Sequence, residues 1–316
     1  MKFRTEINIK PYGFKINYKD KITTFGSCFA DNIADKFLYY KFNVLKNPFG
    51  VLYNPVSIAN ALQIIFNNKT FVENDLIFHN GLYHSFYHHG SFSDINPEYV
   101  LTKINSVTEQ TREALKSSSL VILTFGTAFV YKHKKQNIIV SNCHKIPQAE
   151  FERFRLSVEG VVKEIVRSLK YLKLLSENVR VLLTVSPVRH WKDGAIENQR
   201  SKATLILAID KVLRECENVY YFPSYELVLD DLRDYRFFEK DLLHPNSFAV
   251  EYIWEKFTDT FFDEETKMLI PKIEKIVKGL NHKPFNKDNP QYQKFVENLN
   301  KEIKLLKSQY PELNFD

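Results

Sequence analysis

The 316 residues suffice for one large core or one domain with an appendage, and 44% apolar and 14% aromatic content excludes a disordered chain. The 44 Lys+Arg against 38 Asp+Glu leave +6, scattered without a run of five basic residues, so nucleic-acid binding is not indicated. No apolar run approaches the roughly 18 residues of a membrane span.

The N-terminal stretch alternates charge with apolar residues and lacks the continuous apolar core of a signal peptide. Cys28, Cys143 and Cys216 lie far apart and form no CxxC pair, which fits a reducing compartment. Together these suggest a soluble cytoplasmic protein. The first element is a short β-branched strand, Ile22 to Phe25, stopped at Gly26. A helix follows, with Phe29, Ile33 and Phe37 at four-residue spacing. Ser27 therefore stands between a strand end and a helix start, where open α/β sheets bind ligands and where helix N–H groups favour a developing anion. It reads either as a nucleophile or as a serine N-cap in a tight turn.

A strand near 43, an Asn-Pro turn at 47–50 and a helix over 54–66 come next. From Phe71 to Pro97 there is no periodicity, and a loop or hairpin rich in His and aromatics is expected. A helix over about Pro97–Lys116 leads into the buried strand Leu120–Phe125, which ends at Gly126. A polar hairpin (131–140), the NCHKIP turn (142–147) and an amphipathic helix (157–175) follow. The remaining core elements are a strand over Val179–Val185, a helix over 196–216, a strand over Val219–Phe222 and a helix over Pro245–Phe262. Five strands alternating with helices imply a doubly wound parallel sheet over residues 1–263. Residues 264–316, lysine-rich with a break around 284–290 and a last helix near 291–309, form an appendage packed on the core or an arm to a partner.

Near the far end, Lys240 to Asn246 reads KDLLHPN. An Asp three residues before a His can hold one ring nitrogen across a tight turn and leave the other facing a nucleophile. Pro245 is placed to open the following helix at its first position.

The ordered motifs GSCFA (26–30), TFGTA (124–128), NCHK (142–145), SPVRH (186–190), YFPSYE (221–226), LRDYRF (232–237) and DLLHP (241–245) resemble those of the GSCFA family. The resemblance runs from about residue 20 to the C-terminus. That family is grouped with the SGNH/GDSL hydrolases, esterases and acyltransferases of lipids, carbohydrates and small esters. It implies a flavodoxin-like three-layer sandwich with a five-stranded parallel sheet, plus a C-terminal helical extension. It also implies Ser27 as nucleophile, His244 as general base and Asp241 as its orienter. The backbone N–H groups of Ser27 and Gly50 would be the first oxyanion donors. The superfamily's third donor is an Asn after Gly-Thr, but Ala128 stands there. Loss of one such donor commonly costs about a hundredfold in rate, and Asn142, Thr127 and Asn47 are the candidate substitutes. Cys28 follows the serine where the superfamily pattern differs; it reads as a small inward-packed residue or as an alternative nucleophile.

His84, His88, His89, Cys143 and His144 supply zinc-ligand types without a standard spacing. They more simply line a cleft, with His84 and His144 as its members. Arg189 and His190, after a buried strand, would meet an anionic part of a substrate or form a solvated loop. Arg233 to Arg236 read as a structural polar network, and Lys202 as part of a solvated helix face. No GxGxxG follows any strand, so no dinucleotide and no other cofactor is called for. The expected partner is a small ester or acylated carbohydrate, with hydrolysis and transfer undecided and the oligomeric state unreadable. A non-catalytic module keeping the fold, or a metal-dependent hydrolase built on the histidine loop, are the alternatives.

Overall fold

The computed structural model describes residues 4–284 and 289–315, so part of the break expected around 284–290 lies outside the described residues. In chain order the elements are β1 (Lys21–Gly26), α1 (Cys28–Tyr39), β2 (Asn43–Lys46), α2 (Pro55–Phe66), β3 (Ile77–His79), β4 (Leu82–His84), α3 (Pro97–Lys116) and β5 (Leu120–Phe125). Then come β6 (Phe129–His133), β7 (Ile138–Val140), β8 (Phe151–Arg155), α4 (Val158–Leu175), β9 (Arg180–Val185), α5 (Gly194–Glu215) and β10 (Val219–Phe222). A short α6 (Ser224–Glu226), then α7 (Ser247–Phe261), α8 (Glu264–Leu280) and α9 (Pro290–Gln309) complete the chain.

β1, β2, β5, β9 and β10 form one parallel sheet in the order β10-β9-β5-β1-β2. That is the flavodoxin-like winding, whose order reverses between β1 and β5 and opens a crevice beyond their carboxyl ends. Successive residues of a strand face opposite sides, and β5 shows the consequence. Val121, Leu123 and Phe125 join the apolar layer of α2, α3, α4 and α5, while Leu120 and Ile122 join that of α1 and α7. The expected five strands and the three-layer α/β sandwich are what the structure contains.

Helix starts follow local chemistry. Asn54 and Asn96 cap α2 and α3, each with a proline at the first turn, and Asn54 Oδ1 accepts from Ser57 N–H at 2.9 Å. The last core helix differs from expectation. Asn246 is its cap and Ser247 its first residue, because Pro245 instead lies in a bridge to Phe238. Three elements escaped the sequence reading: β8, which widens the expected hairpin to the three-stranded sheet β7-β6-β8, the one-turn α6, and helix α8. Leu269, Ile273, Ile276 and Val277 of α8, with Leu299 and Leu306 of α9, bury themselves in the same apolar cluster as Phe37, Trp254 and Phe257.

Register brings the chemistry together. Gly26 pairs with Thr124, and Phe125 with Val185, so β1, β5 and β9 end at one level. Ser27, Gly126 and Ser186 are the first residues past those ends.

Candidate active site

A cavity of about 640 Å³ opens at this edge, and Cys28, Thr127, Asn142, Arg189, His190 and His244 all border it. That is within the usual range for small-molecule sites and lies at the topological switch point. Ser27 sits behind this lining. It is fully buried, it caps α1 by position without a side-chain bond, and its Oγ has no hydrogen-bond partner among the described residues. An N-cap serine ordinarily uses its oxygen on the second or third helical N–H. A buried hydroxyl left idle costs about 1–3 kcal/mol, so capping does not account for this residue.

Gly126 is the point of closest approach. A Cβ built on it would lie 2.8 Å from His190 Nε2, 3.1 Å from Tyr53 O and 3.3 Å from Ser27 Cβ. The nucleophile candidate and His190 therefore share one glycine face that a side chain would fill. His190 Nε2 is itself buried without a partner, and burial, aided by Lys202, pushes the imidazole down to about 3. It is a neutral ring.

The 239–246 loop supplies the base and its orienter. Asp241 Oδ1 accepts the N–H groups of Leu243 (2.8 Å) and His244 (3.0 Å), while Oδ2 lies 2.6 Å from His244 Nδ1. The His244 N–H first, then the Leu243 N–H and the imidazole, hold the Asp241 carboxyl down to about 2. Arg189 fastens this loop to the sheet edge: its N–H donates to Leu243 O at 3.0 Å and its guanidinium to Leu242 O at 3.1 Å. His244 Nε2 is left for the cavity; Ser27 Oγ is not bonded to it here.

The candidate oxyanion donors come out differently from expectation. Ser27 N–H donates to Thr124 O (3.1 Å) and Gly50 N–H to Asn47 O (2.7 Å), so both amides are engaged. Asn47 is engaged at both ends, accepting from Gly26 N–H and donating to Asp31 at 2.8 Å each. Thr127 Oγ1 shares a bond with Ser201 and accepts the Phe129 N–H. Asn142 accepts the His144 N–H on its Oδ1, and no acceptor for its NH2 is found among the described residues. It alone of the five borders the cavity with an uncommitted donor.

Three further placements correct the sequence reading. Cys28 borders the cavity, half-buried, so it is not simply packed inward; burial first and then Asp31 push its thiol up, outweighing the pull of the first-turn amides and Lys202. His84 and His144 are buried, stacked at 4.4 Å, and do not line the cavity. Ser93 Oγ (2.6 Å), His79 O and Ser85 O (2.8 Å to His144) meet their ring nitrogens. Lys202 is not solvated at all: at 1% exposure its ammonium donates to Gly126 O (2.7 Å) and Ser186 O (2.6 Å). It belongs to a row on α5 that ties down the strand-end loops, with Asn198 accepting the His190 N–H and Ser201 the Ala128 N–H. The signal was a lysine on the helix face that also carries Leu205, Ile209 and Val212. Among the described residues no three His, Cys, Asp or Glu side chains stand together as a metal site, so the metal-dependent alternative has no ligand set to support it.

Two pH predictions arise from these buried groups. Burial lowers Lys202 to about 7, so between pH 7 and its ordinary value of 10.5 the unfolded chain binds a proton that the folded one does not. Stability contributed through this group therefore rises with pH across that window, with a slope of about 1.4 kcal/mol per pH unit at most. Melting curves of wild type and Lys202→Met from pH 7 to 10 should diverge in favour of wild type as pH rises; a constant difference would refute the assignment. His88 has the mirror position in acid. It is fully buried against Phe49 (ring centroids 4.3 Å), and burial pushes it down to about 3. Its contribution is intact above 6.5 and is lost as pH falls toward 3, in step with His144, lowered to about 4. His88→Phe should flatten the fall of Tm between pH 6.5 and 4, and an unchanged slope would contradict it.

Fold and site together define an α/β protein with a switch-point cavity carrying an Asp-His pair beside a strand-end serine. The chain belongs to the GSCFA family: that family's model matches residues 21–257, and the model of the GSCFA domain protein, C-terminal domain, matches 273–316. No curated protein matches it. Similar solved structures include a carbohydrate esterase family 3 protein from Talaromyces cellulolyticus, at 9% identity, TM-score 0.35, covering 82% of this chain and 98% of the other. Another is the acetyl xylan esterase Est2A from the rumen bacterium Butyrivibrio proteoclasticus, at 11% identity, TM-score 0.34, covering 82% of this chain and 65% of the other. Among the described residues no helix is long and apolar enough to cross a membrane.

Proposed function

We propose that this protein is an SGNH-type serine ester hydrolase or acyltransferase acting on an acylated carbohydrate or other small ester. The observation that carries the reading is the 2.6 Å bond between Asp241 and His244 Nδ1, at the mouth of a cavity backed by the idle Ser27 hydroxyl. In this reading His244 Nε2 takes the Ser27 proton as Oγ attacks the ester carbonyl. The same proton then goes to the departing alcohol, and the acyl group on Ser27 passes to water or to a second alcohol. The attack requires the 239–246 loop to bring His244 within reach of Ser27 Oγ, a tightening common on substrate binding. Asn142 is the side-chain oxyanion donor this reading favours, in place of the Asn absent at position 128. Arg189 and His190 contribute substrate contacts from the cavity wall.

A second reading keeps the same base and moves the nucleophile to Cys28, because Cys28 borders the cavity with His244 whereas Ser27 does not. Release of 4-nitrophenol from 4-nitrophenyl acetate separates the two. Loss of turnover in Ser27→Ala with retention in Cys28→Ser supports the serine, and the converse supports the cysteine. Wild type that releases 4-nitrophenol no faster than the uncatalysed reaction would leave a non-catalytic module, and equal turnover in wild type and both variants would remove both nucleophiles.

A further inference from the structure

The cationic side chains of this molecule are not spread over it as its overall balance would suggest. Among the described residues lining the cavity, Arg153, Arg189 and Lys192 are present and no Asp or Glu is, although the whole chain carries 44 basic against 38 acidic residues. Lys192 and Arg189 are held in place by neutral groups, and Arg153 by rings and one carboxylate. Lys192 Nζ donates to the Tyr131 hydroxyl at 2.6 Å and sits over its ring. Arg189 lies 4.1 Å over Trp191 and donates to Leu242 O. Arg153 lies 4.2 Å over Phe129, and its Nε is buried with no partner. Only Arg153 meets a carboxylate, Asp193, from outside the lining. Of the carboxylates outside the lining, Asp241 is committed to His244, and Asp31 to Asn47 and Lys46. Rings and a carbonyl position Arg189 and Lys192 without cancelling their charges, and low-dielectric walls focus the resulting positive potential into the cleft.

We infer that the cavity takes a substrate bearing a negative charge, a carboxylate or a phosphate, close to the ester on which the site acts. This rests on the hydrolase or transferase reading for the word substrate, but the anion site itself does not. A volume of about 640 Å³ is on the scale of a small molecule, which favours a compact anion over a polymer backbone. Arg153 and Arg189 offer planar forks that suit either oxyanion, and Lys192 offers a point charge in the same lining.

The test uses the Ser27→Ala protein, so that binding is read without turnover. Trp191 borders the cavity while the second tryptophan, Trp254, is buried in the core, so fluorescence changes report the site. The probes are phenyl phosphate, benzoate and the neutral benzyl alcohol. Saturable quenching by one or both anions and none by benzyl alcohol is expected, with affinity falling about tenfold or more in Lys192→Glu. Lys192 is exposed, so this variant folds; Arg153→Gln is the second arm and should weaken the same anions. Tighter phenyl phosphate points to a phosphate, tighter benzoate to a carboxylate. Absence of saturable anion quenching, equal binding of benzyl alcohol, or anion affinity unchanged in both variants would overturn the inference. Loss of ester turnover in Ser27→Ala with anion binding retained would show the two readings standing separately.

Discussion

His244→Ala is expected to lower ester turnover by about a thousandfold or more, with little change in thermal stability. His244 is half-exposed on a loop, and among the described residues its one side-chain bond is the one to Asp241, so the fold does not depend on it. Asp241→Asn should fall nearly as far for a different reason. An asparagine oxygen can still accept the Leu243 and His244 N–H groups, so the turn survives. Its NH2 would then face Nδ1, where the native carboxylate accepts. The imidazole would be driven to the opposite tautomer, with its proton on the nitrogen that must receive one from the nucleophile. Kinetics on 4-nitrophenyl acetate check both; full turnover in either variant would remove the pair from the mechanism.

The second large effect is on folding. Gly26→Ala should destabilise the protein by more than about 3 kcal/mol. Gly26 has φ +150°, and an added Cβ would stand 2.2 Å from Thr124 O and 2.7 Å from Thr124 Cβ. The obstacle is the backbone of the neighbouring central strand, which cannot turn aside as a flexible side chain would. The same substitution at Gly81, where nothing lies within 4 Å, should cost less, its strain at φ +76° being backbone alone. Chemical denaturation of the two variants gives the comparison. Equal losses would mean that the contact at Gly26 is relieved by movement of the strand.

Why the sheet was legible and parts of the rest were not follows from particular residues. β5 is a continuous apolar run because both faces are covered, and α4 carries Val161, Ile165 and Leu172 on one stripe; such periodicities are local facts. Strand β8, FERFR, alternates too weakly to announce itself, since Phe151 is its one buried residue and Phe151 and Arg153 line the cavity. Helix α8 was hidden by its lysines, yet Leu269, Ile273 and Ile276 already marked the buried face. In the site, residue types and order placed Ser27, Asp241, His244, Arg189 and His190 at one sheet edge. What no spacing reveals is which amides are already spent: Gly50 N–H closes its own turn onto Asn47, and Ser27 N–H completes the ladder to β5. Likewise, a lysine in NQRSKA reads as surface until the carbonyls of Gly126 and Ser186 are seen above it.

The most direct test of the central claim is intact-mass spectrometry after incubation with a fluorophosphonate probe, followed by mapping of the modified peptide, on wild type, Ser27→Ala, Cys28→Ser and His244→Ala. One adduct on Ser27, kept in Cys28→Ser and lost in Ser27→Ala and His244→Ala, is the predicted result. An adduct that persists in Ser27→Ala, or that maps to any residue other than Ser27, would contradict it.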